Sequence, residues 1–256
     1  MTDTIYLISA CDINAWIWPY WYAYFKRSWD FNCGIDVVMI CENIAPELPG
    51  IKYYRVGSES WPLRMKTFIE QHPSVNYIIY GVEDQLLMEP VNVEGIKKLV
   101  EQMRRNNTKY ISLHQDKYMS AVVQRNDRRP FRNLIRIPYS HYQVFTLQCA
   151  LFESKFFHFL MRPQDDIWHI EINGHERIRR ARVQTYMYVD RSLIRFREVL
   201  RKGKLKPHRM KYLWAVDADE MFPAGDRELD RHETKWYYEA WKDKIKSETV
   251  LREWVK

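Results

Sequence analysis

Short apolar runs alternate with amphipathic segments through the first half of the chain, and this order restricts the fold more than any other feature. The runs are nearly continuous in apolar residues, which is typical of parallel strands covered on both faces. Five strands are predicted at residues 4–10, 36–41, 52–56, 76–80 and 110–113. Helices are predicted between them at 19–29, 60–71 and 93–105. Strand–helix–strand order at this spacing predicts right-handed crossovers and an α/β fold, a Rossmann-type three-layer α/β/α sandwich.

The second half of the chain has a different pattern. Strands are predicted at residues 143–152 and 181–189, with a helix at 153–160 and another helix beginning within 165–171. The last part is strongly charged, rich in Trp and predicted to be helical. We therefore place the main domain at residues 1–205 and a C-terminal helical extension at 206–256.

Charge is distributed unevenly along the chain. The sequence carries 40 Lys and Arg against 33 Asp and Glu, a net charge of +7. Residues 177–211 hold 13 basic residues and two acidic ones, whereas residues 217–256 hold 8 basic and 11 acidic ones. A basic balance of this kind favours an anionic partner. Aromatic residues make up 15% of the chain and predict flat surfaces for stacking on rings or sugars.

Cysteine usage and hydropathy bear on the cellular location. The four cysteines lie far apart and form no Cys-x-x-Cys pair, which is typical of reduced thiols in a cytosolic protein. No apolar run approaches the roughly 20 residues of a membrane span, and the first residues lack a signal-peptide pattern. We therefore expect a cytoplasmic protein, in the host cytoplasm if the chain is viral.

Two adjacent carboxylates, Glu83 and Asp84, follow the fourth predicted strand. Open α/β sheets bind ligands beyond the carboxyl ends of their strands. Carboxylates there can hold a divalent cation that also binds substrate phosphates. We therefore predict an Mn²⁺ or Mg²⁺ site at Asp84, assisted by Glu83, with helix capping or a solvated turn as the alternative. The sequence contains neither a phosphate loop nor a dinucleotide-binding glycine fingerprint, which argues against kinase and dinucleotide redox functions.

Five short segments occur in a fixed order along the chain: Ser9-Ala10-Cys11-Asp12, Trp61-x-x-Arg64, Glu83-Asp84, Leu147-Gln148-x-Ala150-Leu151-Phe152 and Trp168-His169-Ile170-Glu171. This ordered set resembles a family of bacterial and viral glycosyltransferases with a GT-A-type nucleotide-sugar fold. The resemblance covers about residues 4–205 and implies a GT-A-like fold and a nucleotide-sugar donor, with uridine diphosphate as the carrier. Two departures are that the family's acidic pair is usually two aspartates, and that a Glu-Ser-Pro-like run usually precedes its Trp-x-x-Glu segment.

Besides the acidic pair, two further residues are candidates for binding the nucleotide-sugar donor. Asp12, at the tip of the first strand, could accept hydrogen bonds from a nucleotide base or ribose, or could cap the following turn. Arg64 could pair with phosphate or sugar hydroxyls through its forked donors, or could be a solvated residue on the helix surface.

On the acceptor side, a general base must lie within hydrogen-bond reach of the attacking hydroxyl. Asp165 and Asp166 are candidates, although both could equally cap the helix that follows. Glu171 is a candidate base or sugar ligand, and Trp168, three residues before it, could stack on a sugar. His175 is expected to lie at the surface.

Basic residues interleaved with aromatic ones suit a phosphate backbone with exposed bases. The candidate nucleic-acid contacts are Arg125, Arg128, Arg129, Arg132, Arg179, Arg180, Lys202 and Lys204. Fold type and charge together favour hydroxymethylated bases in phage DNA as the acceptor, reached by base flipping. The alternative acceptor is a bacterial surface glycan, for which the basic residues could contact anionic lipid. The alternative function is a non-catalytic nucleic-acid-binding protein on the same fold. The basic runs could also be solvated surface without a partner.

Overall fold

The computed structural model describes residues 2–45, 48–57, 59–113, 133–141, 144–167, 169–189, 193–201 and 204–205. Twelve strands lie within these ranges: β1 Thr4–Ser9, β2 Asp36–Cys41, β3 Ile51–Arg55, β4 Tyr77–Val82, β5 Gln85–Leu87, β6 Tyr110–Ser112, β7 Leu134–Arg136, β8 Ala150–Glu153, β9 Tyr186–Tyr188, β10 Phe196–Glu198, β11 Leu200–Arg201 and β12 Lys204–Leu205. Five α-helices accompany them there: α1 Trp18–Ser28, α2 Trp61–Gln71, α3 Val93–Arg105, α4 Ser154–Leu160 and α5 His169–Arg180. A 3-10 helix at Asp12–Ile17 precedes α1. The predicted extension at 206–256 lies outside the described residues.

Eight of the strands form one mixed sheet in the order β3-β2-β1-β4-β8-β6-β9-β7. Strands β1 to β4 pair in parallel, whereas β8 runs antiparallel to both β4 and β6. The carboxyl ends of β1, β2, β4 and β6 therefore meet at one edge of the sheet, together with the start of β8. We call this the carboxyl edge, and the opposite side the amino edge.

Helices cover both faces of the sheet, as the nearly continuous apolar strands predict. Ile8 in β1 belongs to a core with α1 and α3, whereas its neighbour Leu7 belongs to a second core with α2, α4 and α5. Successive side chains of a strand point to opposite faces, so both must be apolar when both faces are covered. The three-layer α/β/α prediction is confirmed.

Many of the aromatic residues serve this core. Helix α1 buries Trp18, Trp21 and Phe25, and the ring of Phe25 meets Tyr6 edge to face at 5.2 Å. The expectation that the aromatic content marks stacking surfaces is therefore wrong for this helix, where large rings fill the layer between helix and sheet.

Two predicted strands of the second half are shorter than expected. The amides of Thr146 and Leu147 are bonded by the side chains of Tyr110 and Glu171 rather than by a neighbouring strand, and β8 begins only at Ala150. The amides of residues 181–183 donate hydrogen bonds to carbonyls in the last turns of α5, so they cannot pair in a sheet. Strand β9 is therefore limited to Tyr186–Tyr188.

A small second sheet was not predicted. In it β5 pairs antiparallel with β10, which brings the chain around residue 197 back to the strand that follows Asp84. No helix in the described ranges is long and apolar enough to cross a membrane.

Candidate functional site

The loops after β1 and β2 are locked together at the carboxyl edge. Asp12 is buried, and its carboxylate accepts hydrogen bonds from the Asn43 amide at 3.2 Å, the Asn43 side chain at 3.0 Å and the Ile44 amide at 3.3 Å. The Asp12 amide donates in turn to Glu42 Oε2 at 3.0 Å. Asp12 therefore caps the turn after β2, rather than the turn that follows it in sequence.

Arg64 reaches the same edge from the first half of α2. It is only 5% exposed, and its Nη2 lies 3.1 Å from Glu42 Oε1. Its Nε and Nη1 are buried and have no hydrogen-bond partner in the described structure. The alternative of a solvated arginine is therefore wrong. Buried donors without partners cost free energy, and an oxygen-rich ligand would remove that cost.

Glu42 is a site residue that sequence reasoning missed. It bridges Asp12 and Arg64 with its two carboxylate oxygens. The available signal was positional, because Glu42 directly follows β2 as Glu83 follows β4.

Glu83 lies inside the carboxyl edge rather than at its surface. It is 4% exposed, and its Oε1 accepts from Asn14 Nδ2 at 2.9 Å, the Cys11 amide at 3.4 Å and the Cys11 thiol at 3.3 Å. Burial raises the pKa of Glu83. Burial raises the pKa of the Cys11 thiol as well, and the Glu83 carboxylate beside it raises that pKa further. All three donors bind Oε1, so they orient the buried carboxylate toward the loop after β1, and its predicted part in metal binding remains a prediction.

Asp84 is half-buried in the turn that joins β4 to β5, and its carbonyl accepts from the Val199 amide at 2.9 Å. Within the described residues, no group of three or more His, Cys, Asp or Glu side chains is placed to hold a metal ion. The metal site predicted at Asp84, with Glu83 assisting, remains a prediction.

Glu171 approaches the carboxyl edge from the other side. Its Oε1 accepts from Thr146 Oγ1 at 2.9 Å and from the Leu147 amide at 2.7 Å, immediately before β8. Helix α5 can come this close because Gly174 packs against Phe145, where a Cβ would lie 2.4 Å from the ring.

Tyr80 connects the two sides of the edge. It is fully buried at the end of β4. Burial raises its pKa, Glu83 and Glu171 raise it further, and Arg64 lowers it. All three charged residues therefore influence this one phenol.

Asp165 is buried and held by two side chains of α5. It is 6% exposed, and its oxygens accept from Asn173 Nδ2 and Arg177 Nη2, each at 2.6 Å. Asp166 is the helix cap foreseen as its alternative, accepting from the amide of His169 at 2.6 Å. Trp168 lies outside the described residues.

His175 is buried, so the expectation of a surface position is wrong. Its Nε2 lies 2.9 Å from the carbonyl oxygen of Phe145, and burial lowers its pKa. The ring therefore belongs to the packing of α5 against the segment before β8.

The chain is similar to known proteins in its fold but not in its sequence. The sequence matches no protein-family model and no curated protein. Among solved structures, S. aureus TarS 1–349 in complex with UDP-GlcNAc is similar, with a TM-score of 0.50 at 8% identity. That similarity covers 100% of this chain and 76% of TarS 1–349. The chain has a GT-A-like fold.

Two weaker structural similarities accompany this one. A cytidylyltransferase from Leptospira borgpetersenii gives a TM-score of 0.42 at 11% identity, covering 98% of this chain and 99% of the other. A197 from STIV gives 0.43 at 10% identity, covering 78% and 87%.

The predicted nucleic-acid contacts are mostly engaged elsewhere or lie outside the described part of this GT-A-like chain. Arg179 donates to the carbonyls of Tyr139 at 2.6 Å and His141 at 2.8 Å, so it holds a loop. Arg180 pairs with Glu176 on the exposed side of α5. Lys204 lies in β12. Arg125, Arg128, Arg129, Arg132 and Lys202 lie outside the described residues.

Proposed function

We propose that this chain is a glycosyltransferase that moves a sugar from a nucleotide-diphosphate sugar to a hydroxyl acceptor. The observation that carries the proposal is the buried guanidinium of Arg64 at the carboxyl edge, with two nitrogens that lack hydrogen-bond partners in the described structure. Such a group suits the oxygens of a nucleotide donor, since its forked donors match planar oxygen pairs.

The donor is proposed to be a uridine diphosphate sugar. Support comes from the fold shared with TarS, which binds UDP-GlcNAc. In this chain, Arg64 and Glu42 form a donor–acceptor pair at 3.1 Å that could meet the complementary groups of a base or ribose. Asp12 acts on the loops, holding the segment after β2 in place.

A divalent cation, Mn²⁺ or Mg²⁺, is proposed to bind at Asp84 together with the donor diphosphate. Such an ion usually takes one or two protein carboxylates plus substrate phosphates, and it would neutralise charge on the leaving group. Glu83 has a different part: it fixes the loop after β1 through Cys11 and Asn14.

Glu171 is proposed as the general base. One of its oxygens is held by Thr146 and Leu147, which orients the carboxylate without using its second oxygen. A fixed carboxylate on the acceptor side can take the proton of the attacking hydroxyl. Asp165 is proposed to stabilise the start of α5 through its ion pair with Arg177.

The acceptor is proposed to be a hydroxymethylated base in DNA, and the support for it is the basic charge of residues 177–211. Binding of duplex DNA should then weaken steeply between about 50 and 200 mM salt. Binding that is absent or insensitive to salt favours a surface-glycan acceptor. DNA binding without any donor turnover favours the non-catalytic nucleic-acid-binding protein.

The experiment is release of UDP from UDP-GlcNAc and other UDP-sugars in the presence of Mn²⁺. Glu171→Gln should lower turnover about 10²- to 10⁴-fold, the usual contribution of a general base. Asp84→Asn should reduce the stimulation by Mn²⁺, whereas Glu83→Gln should retain it because Gln keeps the acceptor oxygen. Arg64→Met should weaken UDP binding, with Arg105→Met as a control of equal charge change on the exposed side of α3. Absence of UDP binding and of UDP release would refute the proposal.

A further inference from the structure

A cavity of about 570 Å³ lies at the amino edge of the sheet, away from the proposed donor site. It opens where β4 begins and β8 ends, between the end of α2 and the start of α4. Cavities of roughly 300–1,000 Å³ are the usual size for small-molecule sites. The cavity is therefore large enough for a small organic ligand.

The charged residues around this cavity differ in whether they have an ion-pair partner. Glu70 lies 2.8 Å from His158, Glu153 lies 2.6 Å from Lys109, and Arg104 lies 2.7 Å from Asp3. Glu153 and Arg104 thus pair with opposite charges, and Glu70 does so when His158 is protonated. Lys155 is exposed at the cavity and has no ion pair among the described residues. Among the described lining residues, Lys155 is therefore a cation that a ligand can reach.

One polar group in the lining also lacks a partner. Ser154 is 3% exposed, and its Oγ makes no hydrogen bond in the part of the chain that the structure describes. A buried hydroxyl without a partner costs free energy, and a ligand group entering beside it, after a rotation about χ1, would remove that cost. Ser154 and Lys155 are adjacent in the chain, so a single ligand can meet both.

The remaining wall is largely apolar. Ile69 at the end of α2 and Val75 before β4 are buried behind the cavity, and Pro73 lies at its rim. This surface can receive the hydrocarbon part of a ligand, whose burial is favourable. The requirements of the cavity are thus one negative charge, one hydrogen-bonding group and a compact apolar body.

We propose that this cavity is a binding site for a small organic anion, with Lys155 meeting the charge and Ile69, Val75 and Pro73 holding the apolar part. The site is separate from the donor site. Strand β4 runs from Tyr77 at the cavity to Val82 at the carboxyl edge, and at about 3.3 Å per residue its length keeps the two sites well over 10 Å apart. An anion bound at the amino edge would not touch the donor.

Benzoate is a suitable probe, and benzamide is its uncharged counterpart of the same shape. Binding is measured by NMR titration or calorimetry on the full chain, with UDP present so that the carboxyl edge is occupied. We expect saturable benzoate binding with a Kd of about 1–10 mM, the strength of a fragment-sized ligand. Benzamide should bind at least several-fold more weakly.

Two variants and one control test the assignment. Lys155→Glu should weaken benzoate binding at least about tenfold, the equivalent of ~1.4 kcal/mol. Ser154→Ala should weaken it by a smaller factor. Lys26→Glu makes the same charge change at an exposed position of α1 and should leave the Kd within about twofold. No saturation up to ~50 mM benzoate, equal binding of benzamide, or equal weakening by Lys26→Glu overturns the proposal.

Discussion

Replacement of Asp165 by Asn tests whether this carboxylate stabilises the fold or takes part in catalysis. The carboxylate side chain is 4% exposed and the Arg177 side chain 18%, with the two charged groups 2.6 Å apart. Asn retains an oxygen for the Asn173 side chain but removes the negative charge that faces Arg177. The guanidinium is then left largely buried without its counter-charge.

The expected loss of stability follows from this burial. Breaking a fully buried ion pair by removing one partner costs about 3–5 kcal/mol. Because Arg177 retains some contact with water, we expect about 2–4 kcal/mol for Asp165→Asn. In a chain of this size each kcal/mol lowers Tm by about 2–4 °C, so Tm should fall by roughly 5–15 °C. Asp166→Asn is the matched control, since that residue is exposed and Asn is also a good helix cap.

The assay pairs urea denaturation with donor turnover measured well below the melting temperature. The folded Asp165→Asn protein should keep turnover within a few-fold of the original, whereas loss of a general base would cost about 10²- to 10⁴-fold. A double-mutant cycle with Arg177→Met should show that the two losses of stability are not additive. Unchanged stability together with abolished turnover would refute the reasoning and return Asp165 to the role of base.

Three further changes test buried groups in α5 and α4. Gly174→Ala would place a Cβ 2.4 Å from the Phe145 ring and should lower the free energy of unfolding by about 1–3 kcal/mol; an unchanged urea midpoint contradicts this. His175 has a pKa below its ordinary 6.5 because it is buried, so its contribution to stability is complete above that pH and is lost as pH falls through the folded-state pKa. The urea midpoint should therefore fall more steeply on acidification in the original protein than in His175→Gln, and parallel curves would exclude this cause. Ser154→Ala removes a hydroxyl that has no partner in the described structure and should leave Tm unchanged or raise it, whereas a clear drop would reveal a missed hydrogen bond.

The parallel half of the fold could be predicted from sequence because local pattern and tertiary burial agree there. The predicted bounds of β2 and α3 match the structure, and the Asn92 side chain caps α3 by accepting from the Gly95 amide at 2.9 Å. The strands of the second half are short, between two and four residues in the described ranges. Side chains bond the amides of Thr146 and Leu147, which the sequence pattern places in a strand. Periodicity over so few residues does not distinguish a strand from a loop.

The carboxylates of the candidate site were located in sequence, except for Glu42, but their contacts were not. Asp165 and Glu171 are both acidic residues near the start of one helix, and only tertiary contacts differentiate them. Asn173 and Arg177 are four residues apart, so they share a face of α5, and that face meets Asp165. Glu171 instead meets Thr146 and Leu147, more than twenty residues earlier in the chain. Spacing within the helix could have indicated the first contact, whereas the second depends on the sheet.

The direction of β8 explains why both halves of the site meet. Because β8 runs antiparallel to β4, its first residue, Ala150, pairs with Tyr80 near the end of β4, and the segment just before β8 must lie at the carboxyl edge. That segment holds Glu171 through Leu147. A parallel β8 would begin at the amino edge, and the same contact would then carry Glu171 away from Arg64 and Asp84 by about the length of a strand. The proposed donor residues and the candidate base therefore lie at the same edge of the sheet because one strand, β8, is antiparallel. No single motif of the sequence specifies that direction.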